Sequence, residues 1–169
     1  MADRSATHPS ALCFRFAYEE SLRVPLIIKD PRTKRDLIGT SNDEFTLNLD
    51  LAPTILGAAG VTPPKVMQGR DMSQLYRENH VAANQNWRKT FLYEYHDDSP
   101  HIPDSLALVG RGFKLIHWVT AKYWQFFDLT VDPKEKRDVY RQTDPEQLAS
   151  MKKQMYELQQ TVKLYEVTV

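Results

Sequence analysis

The 169-residue chain balances 22 Lys and Arg against 22 Asp and Glu, so no net field draws it to nucleic acid or to an anionic membrane. With 41% apolar and 26% charged residues it has an ordinary globular composition, with room for one domain or two small lobes. Its apolar stretches, around Val24–Ile28 and Leu49–Val61, are too short or too interrupted to span a bilayer, and the single Cys13 excludes an internal disulfide and a cysteine-rich zinc module.

Residues 1–13 show neither helical nor strand period and read as an unstructured leader; they lack the apolar core of a secretory signal, and the compartment stays open. Arg23-Val-Pro-Leu-Ile-Ile-Lys29 is a continuous apolar run and predicts a short, fully buried strand. Pro25 sits near its start, where a missing ladder donor costs least. The polar connection 30–36 follows, and its basic residues Arg32, Lys34 and Arg35 read as a solvated loop. A helix is predicted over 50–59, with Asp50 as its N-cap, Pro53 in the first turn and Gly60 at the left-handed stop. Leu51, Ile55, Ala58 and Ala59 give it a narrow apolar face for packing on a sheet. A connecting region then runs to about Arg88, in which Met72, Leu75 and Tyr76 suggest a turn or two of helix.

After Trp87 the period changes. Phe91–Tyr95, Leu106–Val119 and Gln125–Leu129 are aromatic and β-branched and predict antiparallel strands, with Gly110 and Gly112 around Arg111 marking a bend or bulge. Asp132-Pro133 makes a turn, and Thr143-Asp-Pro-Glu146 reads as a capping box. The helix it opens carries Leu148, Met151, Met155, Leu158 and Val162 as a stripe suited to covering a sheet. A buried strand of the 23–29 type needs parallel neighbours on both sides, and this chain offers few. The first half therefore reads as the last piece of a larger α/β sheet, and the second as a small antiparallel sheet of its own.

Six segments then come in a telling order. They are Tyr18-Glu-Glu-Ser-Leu-Arg-Val-Pro-Leu-Ile-Ile28, Asn48-Leu-Asp-Leu-Ala-Pro-Thr54 with its continuation to Val61, Met67-Gln-Gly-Arg-Asp-Met-Ser73, Phe91-Leu-Tyr-Glu-Tyr-His96, Arg111-Gly-Phe-Lys-Leu-Ile116 and Phe126-Phe-Asp-Leu-Thr-Val-Asp-Pro133. Over roughly residues 15–160 the chain resembles the C-terminal portion of a bacterial-type sulfatase of the alkaline-phosphatase superfamily. The resemblance implies an α/β fold, α+β as the chain stands: the last strand and helix of an alkaline-phosphatase-like sheet, then a small antiparallel sheet packed with a C-terminal helix. It also implies three stretches: a leader over 1–13, the end of the sulfatase α/β domain over 14–88, and the sulfatase C-terminal subdomain over 89–169.

Members of that family hydrolyse sulfate esters, often on sulfated carbohydrates. They use a formylglycine nucleophile formed within Cys/Ser-x-Pro-x-Arg and a calcium ion held by Asp and Asn oxygens. The motif is absent here: Cys13 opens Cys-Phe-Arg-Phe-Ala, with no proline at the third place and no arginine at the fifth. Where the family reads Asp-Lys-Arg before Tyr-Glu-Glu-Ser, this chain has Cys13-Phe14-Arg15, and a phenyl ring cannot stabilise a developing sulfate charge. No segment has calcium-loop spacing, and Asp97-Asp98 reads as a solvated pair. The expectation is a chain with no catalytic residue, no metal ligand and neither calcium nor formylglycine of its own, inactive alone.

Two residues are singled out as substrate contacts. His96 stands where the resemblance places the active-site mouth, or is simply an exposed strand-end histidine. Arg111 can recognise an anionic sugar through its rigid fork, or serve as a structural ion-pair partner. His101 and His117 read as surface or strand residues, and Trp87, Trp118 and Trp124 as packing side chains. The partners implied are a sulfated carbohydrate, and either a missing N-terminal sulfatase segment or a second copy to cover open sheet edges. A non-catalytic binding module built from the same lobe is the alternative. Nucleic acid would rest only on Arg32–Arg35 and some aromatics and is set aside, given zero net charge and no basic stripe.

Overall fold

The structure, a computed structural model, describes residues 16–77, 86–96 and 102–163. The expectations for the leader, Cys13-Phe14-Arg15, Asp97-Asp98 and His101 lie outside the described residues. Helices α1 (Glu19–Leu22), α2 (Leu51–Ala58) and α3 (Gln74–Arg77) precede strands β1 (Thr90–Tyr95), β2 (Ser105–Gly110), β3 (Phe113–Trp118) and β4 (Tyr123–Asp128), and helix α4 (Pro145–Lys163) closes the order. The chain divides into two compact units, Met1–Leu26 with Thr90–Val169 and Ile27–Lys89.

The first unit is built on an antiparallel sheet in the order β1-β2-β3-β4. The predicted long middle strand is two strands, since Gly110 pairs with Phe113 and leaves Arg111-Gly112 as a two-residue hairpin turn. Gly110 is needed there, because a Cβ would stand 2.3 Å from the Phe113 ring. Register sorts the sheet into two faces. Leu92, Leu108, Leu115 and Phe126 share one row, and Leu106 lies beside it on the same face. Helix α4 covers that face with Leu148 and Met155, flanked by Met151 and Leu158, so the predicted stripe is the buried one; the Val162 side chain lies outside the described ones. Fully buried Leu108, Leu115 and Met155 each contribute about 2–3 kcal/mol of apolar burial. The helix is capped one residue later than predicted. The Gln147 N–H donates to Asp144 Oδ2 at 3.0 Å, while the Thr143 hydroxyl donates back to the Val139 carbonyl. Pro145 takes the first helical position, which leaves Asp144 as the cap.

The opposite face is covered from before α1. Phe16 meets Trp118 edge-on with centroids 5.7 Å apart, Tyr18 meets Phe127 likewise at 6.0 Å, and the Tyr18 hydroxyl donates to Gln125 at 3.1 Å.

In the unit Ile27–Lys89, a short 3-10 turn at Asn48–Asp50 leads into α2. Asp50 does not cap it. Its backbone is helical and its carboxylate turns inward, fully buried. There it accepts the N–H groups of Leu47 and Arg70, each at 2.8 Å, and both prongs of Arg88. Thr54 donates its hydroxyl to the Asp50 carbonyl and accepts the Met72 N–H at 2.9 Å. These bonds turn Pro53 and Thr54 inward, so the predicted apolar stripe Leu51, Ile55, Ala58 and Ala59 is exposed instead of packed. The predicted stop is present: Gly60 has φ +74° and the Val61 N–H donates to the Leu56 carbonyl at 2.9 Å. Met72, Leu75 and Trp87 form the unit's small core.

Residues 23–30, passing from one unit to the other, form no strand. Val24, Leu26, Ile27 and Ile28 are all exposed, Ile27 to 93%. The prediction of a buried strand fails for a physical reason: β-pairing needs a neighbour, and none among the described residues pairs with this segment.

Candidate functional site

His96 follows β1 directly and is 62% exposed at its side chain, with Nδ1 3.5 Å from Asp104 Oδ2. A carboxylate beside one ring nitrogen orients an imidazole and leaves the other nitrogen available. Arg111 lies in the turn at the other end of β2, exposed and already engaged in interactions of its own. Six strand residues at about 3.3 Å each separate the two ends of β2 by roughly 17–20 Å. The structure therefore does not bring His96 and Arg111 together, and they cannot grip one sulfate.

The most concentrated group of charges in this unit was not anticipated. Lys114, fully buried within β3, places Nζ 2.8 Å from Glu19 Oε1 and 2.7 Å from Glu135 Oε1. The Glu19 N–H also donates to Glu135 Oε2 at 2.6 Å. The cluster joins α1, the middle of the sheet and the turn after β4. Beside it, Tyr18, Glu19, Glu20, Pro133, Lys134 and Glu135 line a cavity of about 290 Å³. Of the three carboxylates on its wall, those of Glu19 and Glu135 are engaged by Lys114, so the cluster ties α1 and the turn after β4 to the sheet as a clamp. The available signal was the lone lysine in Phe113-Lys-Leu-Ile116, which alternation places on the inward side of an otherwise apolar strand.

The three indoles are occupied. Trp124 stacks on His117 with centroids 4.0 Å apart and an interplanar angle of 3°. Lys152 Nζ lies 4.4 Å from the Trp124 ring centre and donates to the Tyr140 hydroxyl at 2.7 Å. Burial holds the His117 pKa below the usual imidazole value, and the Lys152 charge lowers it further. Trp118 donates Nε1–H to Gln125 at 2.7 Å, and buried Trp87 donates Nε1–H to the Phe45 carbonyl at 2.6 Å beneath the Arg88 guanidinium.

Calcium, which the resemblance implies, does not fit the described residues. Among them no three His, Cys, Asp or Glu side chains gather to hold a metal, and the buried carboxylates of Asp50 and Glu135 are taken by Arg88 and Lys114. No calcium-dependent step is assigned to this lobe. Among the described residues no helix is long and apolar enough to cross a membrane.

Known proteins place this architecture in context. The family model described as N-sulphoglucosamine sulphohydrolase, C-terminal, matches residues 12–161. An N-acetylglucosamine-6-O-sulfatase of Bacteroides thetaiotaomicron is 32% identical over 154 residues, which is 89% of this chain and 27% of that protein. A human N-acetylglucosamine-6-sulfatase is 25% identical across 86% of this chain and 31% of its own length. The solved structure of BT4656 in complex with its substrate D-glucosamine-2-N,6-O-disulfate superposes with a TM-score of 0.72 at 30% identity, covering 90% of this chain and 30% of that one. The chain thus spans under a third of each of these relatives.

Proposed function

The chain belongs to the sulfatase family, and from that premise we propose that it serves as the C-terminal lobe of a sulfate-ester hydrolase acting on sulfated carbohydrate, without turning over substrate by itself. One observation carries the reading: the family match runs through 12–161, yet no Cys/Ser-x-Pro-x-Arg occurs anywhere in the 169 residues. The sugar class is supported by the glucosamine sulfates in the names of its relatives. Within the lobe, His96 is the substrate contact we favour, because Asp104 orients an exposed ring that can donate to a sulfate or hydroxyl oxygen. Arg111 serves only as a separate contact to a longer anionic glycan.

The test is direct. The purified chain is incubated with an aryl sulfate and with glucosamine 6-sulfate, and released sulfate is measured. No release above buffer is expected. Turnover that rises in proportion to chain concentration would refute the proposal.

A further inference from the structure

We propose that His117 is an acid-sensitive latch on the first half of α4: the neutral imidazole lets Lys152 rest on the Trp124 indole, and the imidazolium drives Lys152 off it.

Register puts Glu94 of β1, Leu106 of β2, His117 of β3 and Trp124 of β4 in one row on the face that α4 covers. The imidazole lies flat on the indole, 4.0 Å between centroids and 3° between planes, and Lys152 Nζ stands 4.4 Å from the centre of the same indole. Nζ also donates to the Tyr140 hydroxyl at 2.7 Å, so α4, β4 and the 3-10 turn Tyr140–Gln142 meet at one ammonium.

This stack is intolerant of a second charge. His117 Nδ1 is buried and has no hydrogen-bond partner among the described residues, so a proton placed there finds no acceptor. Lys152 already uses the attraction of the indole for a cation. The surrounding elements supply no compensating anion. Leu106 and Trp124 carry no charge, and Met151 and Met155 are the apolar neighbours of Lys152 on α4. The Tyr140 hydroxyl is taken by Lys152, and Glu94 lies beyond Leu106 in the row and accepts from Gln159 at 3.2 Å. Burial and the Lys152 charge both depress the His117 pKa, the direction this geometry requires. The contribution of the neutral ring is therefore complete above about pH 6.5 and falls away as pH drops below it.

Lys152 is the group that moves. His117 sits in a strand paired on both sides, whereas Lys152 is half-buried and its long stem can carry the charge out to water. Its departure breaks the bond to Tyr140 and frees the turn and the adjoining part of α4. Leu148 and Met155 stay packed, so the change is a local loosening and not unfolding.

Amide hydrogen exchange of the whole chain, followed by NMR at about pH 7.5 and about pH 5 and corrected for intrinsic rates, reads the latch. In the wild type, protection over 140–142 and 149–152 should fall at least about threefold at the lower pH, relative to β2 and β3. His117→Phe keeps a flat ring against Trp124 but does not titrate, and it should abolish that fall. Lys152→Met leaves nothing for the imidazolium to expel, so it should shrink the fall and raise the titration midpoint of the His117 ring. A fall of equal size in His117→Phe, none in the wild type, or one spread evenly over the strands overturns the proposal. Should His117→Phe fail to fold, Lys152→Met decides, since an undiminished fall in that variant also overturns it.

Discussion

Replacing Lys114 with methionine removes one charge from the buried clamp while keeping most of the apolar stem. The two carboxylates it leaves behind are poorly solvated, Glu135 at 3% side-chain exposure and Glu19 at 23%. Breaking a buried ion pair on one side costs about 3–5 kcal/mol, chiefly because charge is stranded out of water. Methionine limits the packing loss to about a methylene, near 0.8 kcal/mol. For a unit of this size, 3 kcal/mol lowers Tm by about 12–24 °C. Calorimetry and the near-ultraviolet signal of Trp118, which packs against Phe16, read the loss. Lys114→Met combined with Glu19→Gln and Glu135→Gln should recover more than half of it, since the triple variant strands no charge. A loss below about 1 kcal/mol for Lys114→Met, or no recovery in the triple variant, would refute the argument that the clamp holds α1 to the sheet.

Three other outcomes follow from the same geometry. Burial by itself would raise the Asp50 pKa, but Arg88 and the N–H groups of Arg70 and Leu47 hold it below the usual carboxylate range. Its ionised form therefore stabilises the fold fully above about pH 4 and loses that contribution as pH falls through the depressed value; the stability gap between wild type and Asp50→Asn, measured by urea unfolding, should narrow below pH 4. Gly69→Ala would place a Cβ 1.9 Å from the Leu49 carbonyl oxygen, a backbone atom, and should cost more than about 2 kcal/mol in denaturant titration. Lys152→Gln removes a positive charge that lowers the His117 pKa, so an NMR titration should show that pKa rising; in wild type, neutral His117 favours the fold above about pH 6.5 and opposes it as pH drops.

The element that packs against described strands was legible, and the two apolar stretches that stand exposed were not. The α4 stripe was readable because Leu148 and Met155 face strands the chain itself supplies. The same periodic logic drew Leu51, Ile55, Ala58 and Ala59 inward, and they are exposed, because hydrophobic period reports that a face needs covering and not what covers it. Segment 23–29 fails in the same way. The hairpin at Arg111-Gly112 was read as a bend, because the alternation within 106–119 runs through the turn without a change of composition. His96 was placed correctly at the end of β1, but Asp104 beside it was invisible, since β2 brings it back across eight residues.

The segments that carried the resemblance turn out to supply the ionic centres of both units. Tyr18-Glu-Glu-Ser21 gives Glu19, Gly112-Phe-Lys-Leu115 gives Lys114, and the turn opened by Asp132-Pro133 gives Glu135; the three meet in one clamp. In the other unit, Asn48-Leu-Asp50 gives the buried carboxylate, and Met67-Gln-Gly-Arg70 gives a backbone N–H that binds it beside Arg88. A buried ion set constrains sequence tightly, because each member left alone would strand a charge. Family resemblance was therefore strong in a chain that lacks the family's nucleophile motif. What these motifs specify here is, within each unit, an ionic scaffold that joins distant parts of the polypeptide.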